Sequence, residues 1–177
     1  MRGVDNTAEL AQRSFKRLGE ILDKLHKEAD LQPEFYKNLS SCLSNAQTYL
    51  RSHYSYNLDM FAKCRSHCIS WLCSDDKNQE FDQVCEKDGN HLDSCHHCHQ
   101  LPELMQCING VVHDTYVQQK IDAPTYQEMT YDIQEGFEAI SDQKTHIIRT
   151  FVQSCEWSRL YHSKLQDTGF LTIDWAM

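Results

Sequence analysis

Apolar positions recur at spacings of three and four along most of this chain, and the recurrence breaks down in one place. Over residues 7–30, Leu10, Phe15, Leu18, Ile21, Leu22 and Leu25 share one side with charged residues between them, which predicts an amphipathic helix. Asn6 followed by Glu9 has the spacing of a capping box at its start. Pro33 is placed to open a second helix at its first position, with Phe35, Leu39, Cys42, Ala46 and Tyr49 as a packing seam. Residues 58–72 predict a third, shorter helix. Leu58, Phe61, Cys64, Cys68, Trp71 and Leu72 would share its face, so that Cys64 and Cys68 stand one turn apart.

Between residues 73 and 94 the periodicity is lost, and acidic residues (Asp75, Asp76, Glu80, Asp82, Glu86, Asp88, Asp93) outnumber Lys77 and Lys87. A loop of that length without order of its own is uncommon in a compact domain, and metal ligands along it would supply the order. The helical pattern returns after Cys98 through Leu101, Leu104, Ile108, Val111 and Thr115. Pro124 then opens a long helix to about residue 165, with Tyr126, Met129, Ile133, Phe137, Ile140, Lys144, Ile147 and Phe151 in one register. Gly136 weakens that helix by up to ~1 kcal/mol without breaking it. Asp167-Thr168-Gly169 ends it, and Phe170 to Trp175 reads as a strand of β-branched and aromatic residues. The expected fold is therefore mainly α: long amphipathic helices around a small Cys/His-rich zinc-binding module, with one C-terminal β-strand. The corresponding division is a helical region 1–57, the module 58–100, a long-helix region 101–167, and a terminal strand 168–177.

Composition narrows the function classes. A formal net charge of -9 over 177 residues argues against a chain that clings as a whole to nucleic acid or to an anionic membrane. No run approaches the ~20 apolar residues of a membrane span, and the start lacks the apolar core of a secretory signal. An intracellular place, nuclear or cytoplasmic, with no membrane partner is the expectation. In such a reducing setting nine cysteines call for something other than a disulfide framework.

Six of the cysteines (Cys64, Cys68, Cys73, Cys85, Cys95 and Cys98) fall in the module, together with His67, His91, His96, His97 and His99. Disulfides or free thiols would explain the sulfurs alone, whereas zinc explains both residue types, because thiolate and imidazole are its usual ligands in closed tetrahedral sites. The candidate ligands are Cys64, His67, Cys68, Cys85, His91, Cys95 and Cys98, enough for one or two structural zinc ions. Cys95 and Cys98 lead, since Cys-x2-Cys lets two thiolates converge on one ion. Cys73, His96, His97 and His99 rank lower, because adjacent histidines are hard to direct at one ion. The outlying Cys42, Cys107 and Cys155 sit among apolar residues at helical spacing and read as small buried hydrophobes.

The order Tyr49-Leu50-Arg51, Cys64-Arg65-Ser66-His67-Cys68, Ser74-Asp75, Cys85, Cys95-His96-His97-Cys98, Lys144-Thr145-His146-Ile147-Ile148-Arg149 and Ile173-Asp174-Trp175-Ala176-Met177 resembles transposon-derived proteins of invertebrate animals. In that family a Cys/His-rich module precedes a long helix, and an Asp-Trp-Ala-Met segment begins an RNase H-like core of the DDE transposase or integrase type. The chain departs from the pattern at Cys85 to His91, where the family has Cys-x-His-x-His. The resemblance implies that residues 168–177 are the first strand of such a core. Asp174 would then be one of its catalytic carboxylates if further acidic residues follow downstream. Magnesium or manganese would belong to a full-length parent, since that chemistry needs several carboxylates around two ions.

The resulting functional expectation is a zinc-bearing structural and interaction region of a transposase-like protein, without catalytic activity as a 177-residue chain. Its partners would be DNA, through Lys144, Arg149, Arg159 and Lys164 in the 144–164 stretch, or a second copy through the helices. Two alternatives stand beside it: a zinc adaptor of the ubiquitin-ligase scaffold kind, and a part of an active DDE-type nuclease.

Overall fold

The computed structural model describes residues 6–73 and 95–163. Five α-helices occur among them: α1 (Asn6–Glu28), α2 (Pro33–Ser52), α3 (Ile69–Leu72), α4 (His96–Val117) and α5 (Ala123–Ser163). The terminal strand expected over 168–177, Asp174 within it, and the acidic stretch 74–94 all lie outside the described residues.

The four long helices form an antiparallel bundle around one apolar core, in the ring order α1, α2, α4, α5. The direction of α5 against α1 is set by two side-chain meetings. Arg17 of α1 donates to Asp132 at 2.7 Å and to Glu128 at 3.3 Å, while Ser14 and Leu18 face Gly136. A Cβ built on Gly136 would stand 3.6 Å from the Ser14 Cβ, an ordinary contact. The α1–α2 pair is closed by the His26 ring stacked on Tyr36, whose hydroxyl donates to Asp23.

Turn chemistry fixes the ends. After α4, the N–H of Lys120 donates to the Thr115 carbonyl, and Gln119 takes a left-handed φ of 58°. The Lys120 ammonium caps the end of α1 at the Ala29 carbonyl, 2.8 Å away. The Asp122 carboxylate then accepts the Thr125 N–H at 2.9 Å and starts α5. Hydrogen bonds from Thr125 hold the Asp122 carboxyl below its ordinary pKa.

The buried stripes follow the predicted periodicity with local shifts of register. In α1, Ala11, Phe15, Leu18, Ile21, Leu22 and Leu25 are buried, while Leu10, expected inside, is exposed. Ala11 takes the place because Leu10 lies about 100° round the helix from it. In α2 the seam is Leu39, Leu43 and Ala46, flanked by Tyr36 and Leu50, rather than the line through Phe35 and Tyr49; Phe35 is exposed. In α4, Leu104, Met105, Ile108, Val112 and Thr115 are buried. That face leaves Cys107 exposed, and Cys155 is exposed on the last turns of α5, so neither is the buried hydrophobe expected; Cys42 is half-buried. At 41 residues α5 is about 60 Å long, and from Gln153 onward its side chains are mostly exposed.

A second, smaller apolar cluster sits where α2 ends and α4 begins. Tyr54, Leu58 and Ile69 form it, leaning on Ile147, Ile148, Phe151 and Val152 of α5. The single helix expected over 58–72 does not form here. The backbone instead makes a parallel bridge between Asp59 and Cys68, a 3-10 turn Arg65–His67, and then the single turn of α3. The Asp59 N–H donates to the His67 carbonyl, and the Ile69 N–H donates to the Asp59 carbonyl. These bonds satisfy backbone groups that a helix would have paired internally.

Candidate metal centre

Two short turns of equal length face each other in this cluster. In the first, the N–H groups of His67 and Cys68 donate to the Cys64 carbonyl at 2.9 and 3.1 Å, which curls Cys64-Arg65-Ser66-His67 so that its first and last side chains point the same way. In the second, Cys95 is the residue before α4, and the N–H groups of Cys98 and His99 donate to its carbonyl at 3.0 and 3.1 Å. The Cys95 N–H reaches across to the Cys64 sulfur at 3.3 Å.

Among the described residues, Cys64, His67, Cys95 and Cys98 form a Cys3His group whose ligand atoms all lie within 4.8 Å of one another and which could hold a metal ion. Zinc with sulfur at ~2.3 Å and nitrogen at ~2.0 Å places tetrahedral ligands about 3.5–3.8 Å apart, so a small contraction closes the group on one ion. The His67 Nε2 and the Cys98 sulfur are already 3.3 Å apart. Cys64 and His67 are buried and the other two half-buried, and none of the described cysteines is in a disulfide. Three sulfurs and an imidazole converging from two turns suit zinc better than a disulfide, which would leave the third thiol and the histidine unexplained.

The electrostatics prepare the donors unevenly. Burial pushes the Cys95 thiol up, but it is outweighed by hydrogen bonds from the Cys98 backbone, the thiols of Cys98 and Cys64, and the His97 backbone, so its pKa falls below the ordinary value. The positive end of α4 acts in the same direction. Burial raises the Cys98 thiol; Lys144 opposes that rise, and Cys95 and Cys64 add to it. Burial, then Lys144 and His97, lower the pKa of His67, which favours the neutral imidazole that a metal ligand requires.

Around the donors stands a polar and aromatic lining. The Tyr49 hydroxyl shares a 2.7 Å hydrogen bond with His67 Nε2 and accepts one from Asn57 Nδ2 at 3.1 Å. The His97 ring stacks on Tyr49 with centroids 4.7 Å apart. Tyr54, almost fully buried, donates to the Ser66 carbonyl at 2.8 Å and so fixes the first turn.

Four of the seven ligands singled out in the sequence thus meet. Cys68 does not join them: its sulfur donates to the Met60 carbonyl at 3.3 Å, because the bridge to Asp59 turns it away from the helical register that would have paired it with Cys64. Cys85 and His91 lie outside the described residues. Cys73, His96, His97 and His99 are exposed and outside the group. Tyr49 and Asn57 were not picked out as lining residues; the one available signal was a hydroxyl-bearing tyrosine at the end of an otherwise apolar seam. No protein-family profile, curated protein or solved structure matches the chain. No described helix is long and apolar enough to cross a membrane.

Proposed function

We propose that this chain is a structural zinc module in a helical interaction region, in which one zinc ion bound by Cys64, His67, Cys95 and Cys98 clamps the segment after α2 to the start of α4. The observation that carries this reading is the convergence of four donor atoms from two turns about thirty residues apart in sequence. The ion's role is closure: with three thiolates and an imidazole it has no open position for water, so it supplies folding energy rather than catalysis. The order of motifs supports a place for the module in a transposase-like protein, ahead of an RNase H-like core to which Asp174 would belong. In that setting Arg149 and Arg159, on the exposed length of α5, are the described cations available to nucleic acid. Arg159 shares its charge with Glu156 at 2.9 Å.

Native mass spectrometry and elemental analysis of protein purified without added metal test the reading. The expected result is zinc bound to the folded chain, with one ion lost on Cys98→Ser. A folded wild-type protein free of zinc, or a Cys98→Ser variant with its full zinc content, would overturn it.

A further inference from the structure

Lys144 is a charged residue in an apolar register, one turn beyond Ile140 and just before Ile147 on α5. Ile140 is fully buried, and Ile147 packs on the small cluster beside the candidate metal centre. Lys144 itself is half-buried. Its ammonium stands 5.2 Å from the centroid of the Tyr54 ring, and that ring lies 5.4 Å from the ring of His67. Among the described residues no carboxylate lies within ion-pair distance of it. Among the described residues this half-buried ammonium thus faces an aromatic ring and no carboxylate, which compensates poorly for lost hydration.

Zinc in this ligand set would create an anionic partner for it. Two positive charges on the ion against three thiolates, with a neutral imidazole, leave one net negative charge in a half-buried place. We infer that Lys144 is the counter-charge of the zinc–thiolate centre, a positioning residue that draws α5 onto the module when the ion is bound. The inference rests on the zinc reading above. Cys98 and, from α5, Ile147 and Ile148 pack against the same small cluster that contains Tyr54, which brings the turn of α5 after Lys144 beside the module. The arrangement gives this lysine to the metal centre and leaves Arg149 and Arg159 as exposed cations of α5. It also accounts for a lysine where the seam would otherwise take an aliphatic residue: a long methylene stem can cover apolar surface while its charged head, here over the Tyr54 ring, stays beside the module.

The test measures zinc affinity of the full chain by competition with a chromophoric chelator, for wild type, Lys144→Met, Lys144→Gln and Lys144→Arg. Removing the charge should weaken binding by about 10–100-fold, the usual cost of losing an outer partner of a metal ligand. The Lys144→Arg variant, which keeps the charge, should bind zinc more tightly than either neutral variant. The cobalt-loaded proteins should all keep the sulfur-to-metal absorption of three thiolates, which shows that the ligands are intact and that only the charge has changed. Methionine tracks the shape of the stem and glutamine its polarity, so a packing defect would separate the two neutral variants from each other. If wild type takes up no zinc, the zinc reading falls and the inference with it. If wild type binds zinc and both neutral variants bind it as tightly, the inference alone falls. Equal weakening by Lys144→Arg and by the neutral replacements would likewise overturn it, by assigning the loss to packing.

Discussion

The bundle and the candidate metal module face the same problem with different resources. Around α1 and α5 the core holds Leu18, Leu22, Leu25, Ile108, Ile133 and Ile140, all essentially inaccessible to solvent, and such burial contributes about 1.5–3 kcal/mol per side chain. The module has Tyr54, Leu58 and Ile69 as its buried apolar residues, set among 3-10 turns and a one-turn helix. That is little apolar area against the entropy of ordering an irregular backbone. Among the described residues, the Cys3His group lies in the region with the smaller apolar core, which is where a metal would be most useful. Regular helices can be stabilised by a stripe of aliphatic residues, whereas irregular turns present too few inward positions for one.

The largest expected effect separates the two regions directly. Chelation, or Cys95→Ser, should remove hydrogen-exchange protection from residues 54–73 and the first turn of α4 while protection in α1 and the first half of α5 persists. Zinc affinity of Cys95→Ser should fall by more than about 100-fold, since a ligand matters at least as much as its outer partners. Equal loss of protection along α1 would show that the bundle and the module fold as one unit, and the comparison would fail.

Next in size is the converse perturbation. Leu22→Ala in the bundle should cost about 2–5 kcal/mol, the range for truncating a fully buried leucine, and lower the melting temperature accordingly. Below that melting point its zinc affinity should match wild type. A parallel loss of zinc affinity at temperatures where the helices remain folded would mean the centre is held by the core rather than by its own two turns.

The smallest effect sharpens the account of the bundle alone. Gly136→Ala places a methyl in ordinary contact with Ser14 and Leu18, so the gain in helix propensity should appear as about 0.5–1 kcal/mol of added stability. Denaturant melts with an unchanged slope would report it. Destabilisation would reveal that α1 and α5 approach more closely than the wild-type contact distances indicate.

Much of the bundle was legible in the sequence because α-helical periodicity is a local property. Pro33, the stripe from Phe15 to Leu25, and Met129, Ile133 and Ile140 each lie where the spacing put them. Errors came at stripe edges, Leu10 and Phe35, where periodicity permits two neighbouring faces and only the partner helix chooses between them. The helix expected over 58–72 failed for a related reason. Its apolar spacing was compatible with a helix, but the bridge from Asp59 to Cys68 and the turn at His67 satisfy the same backbone groups in another way.

For the candidate site, the sequence by itself determined the chemistry, soft sulfur donors and imidazoles, and the short Cys95–Cys98 pair, whose geometry depends on neighbours three residues away; the turn from Cys64 to His67 replaced the helical pairing of Cys64 with Cys68. Tertiary structure alone decided which donors meet, that Cys68 turns toward Met60 instead, that Tyr49 from α2 lines the same centre, and that Lys144 from α5 stands over the Tyr54 ring beside it. Those choices depend on where α2 ends, where α4 begins and how α5 lies across both. Helix register and crossing are set by the packing of whole faces, so residues far apart in sequence are brought together by contacts that no local spacing encodes.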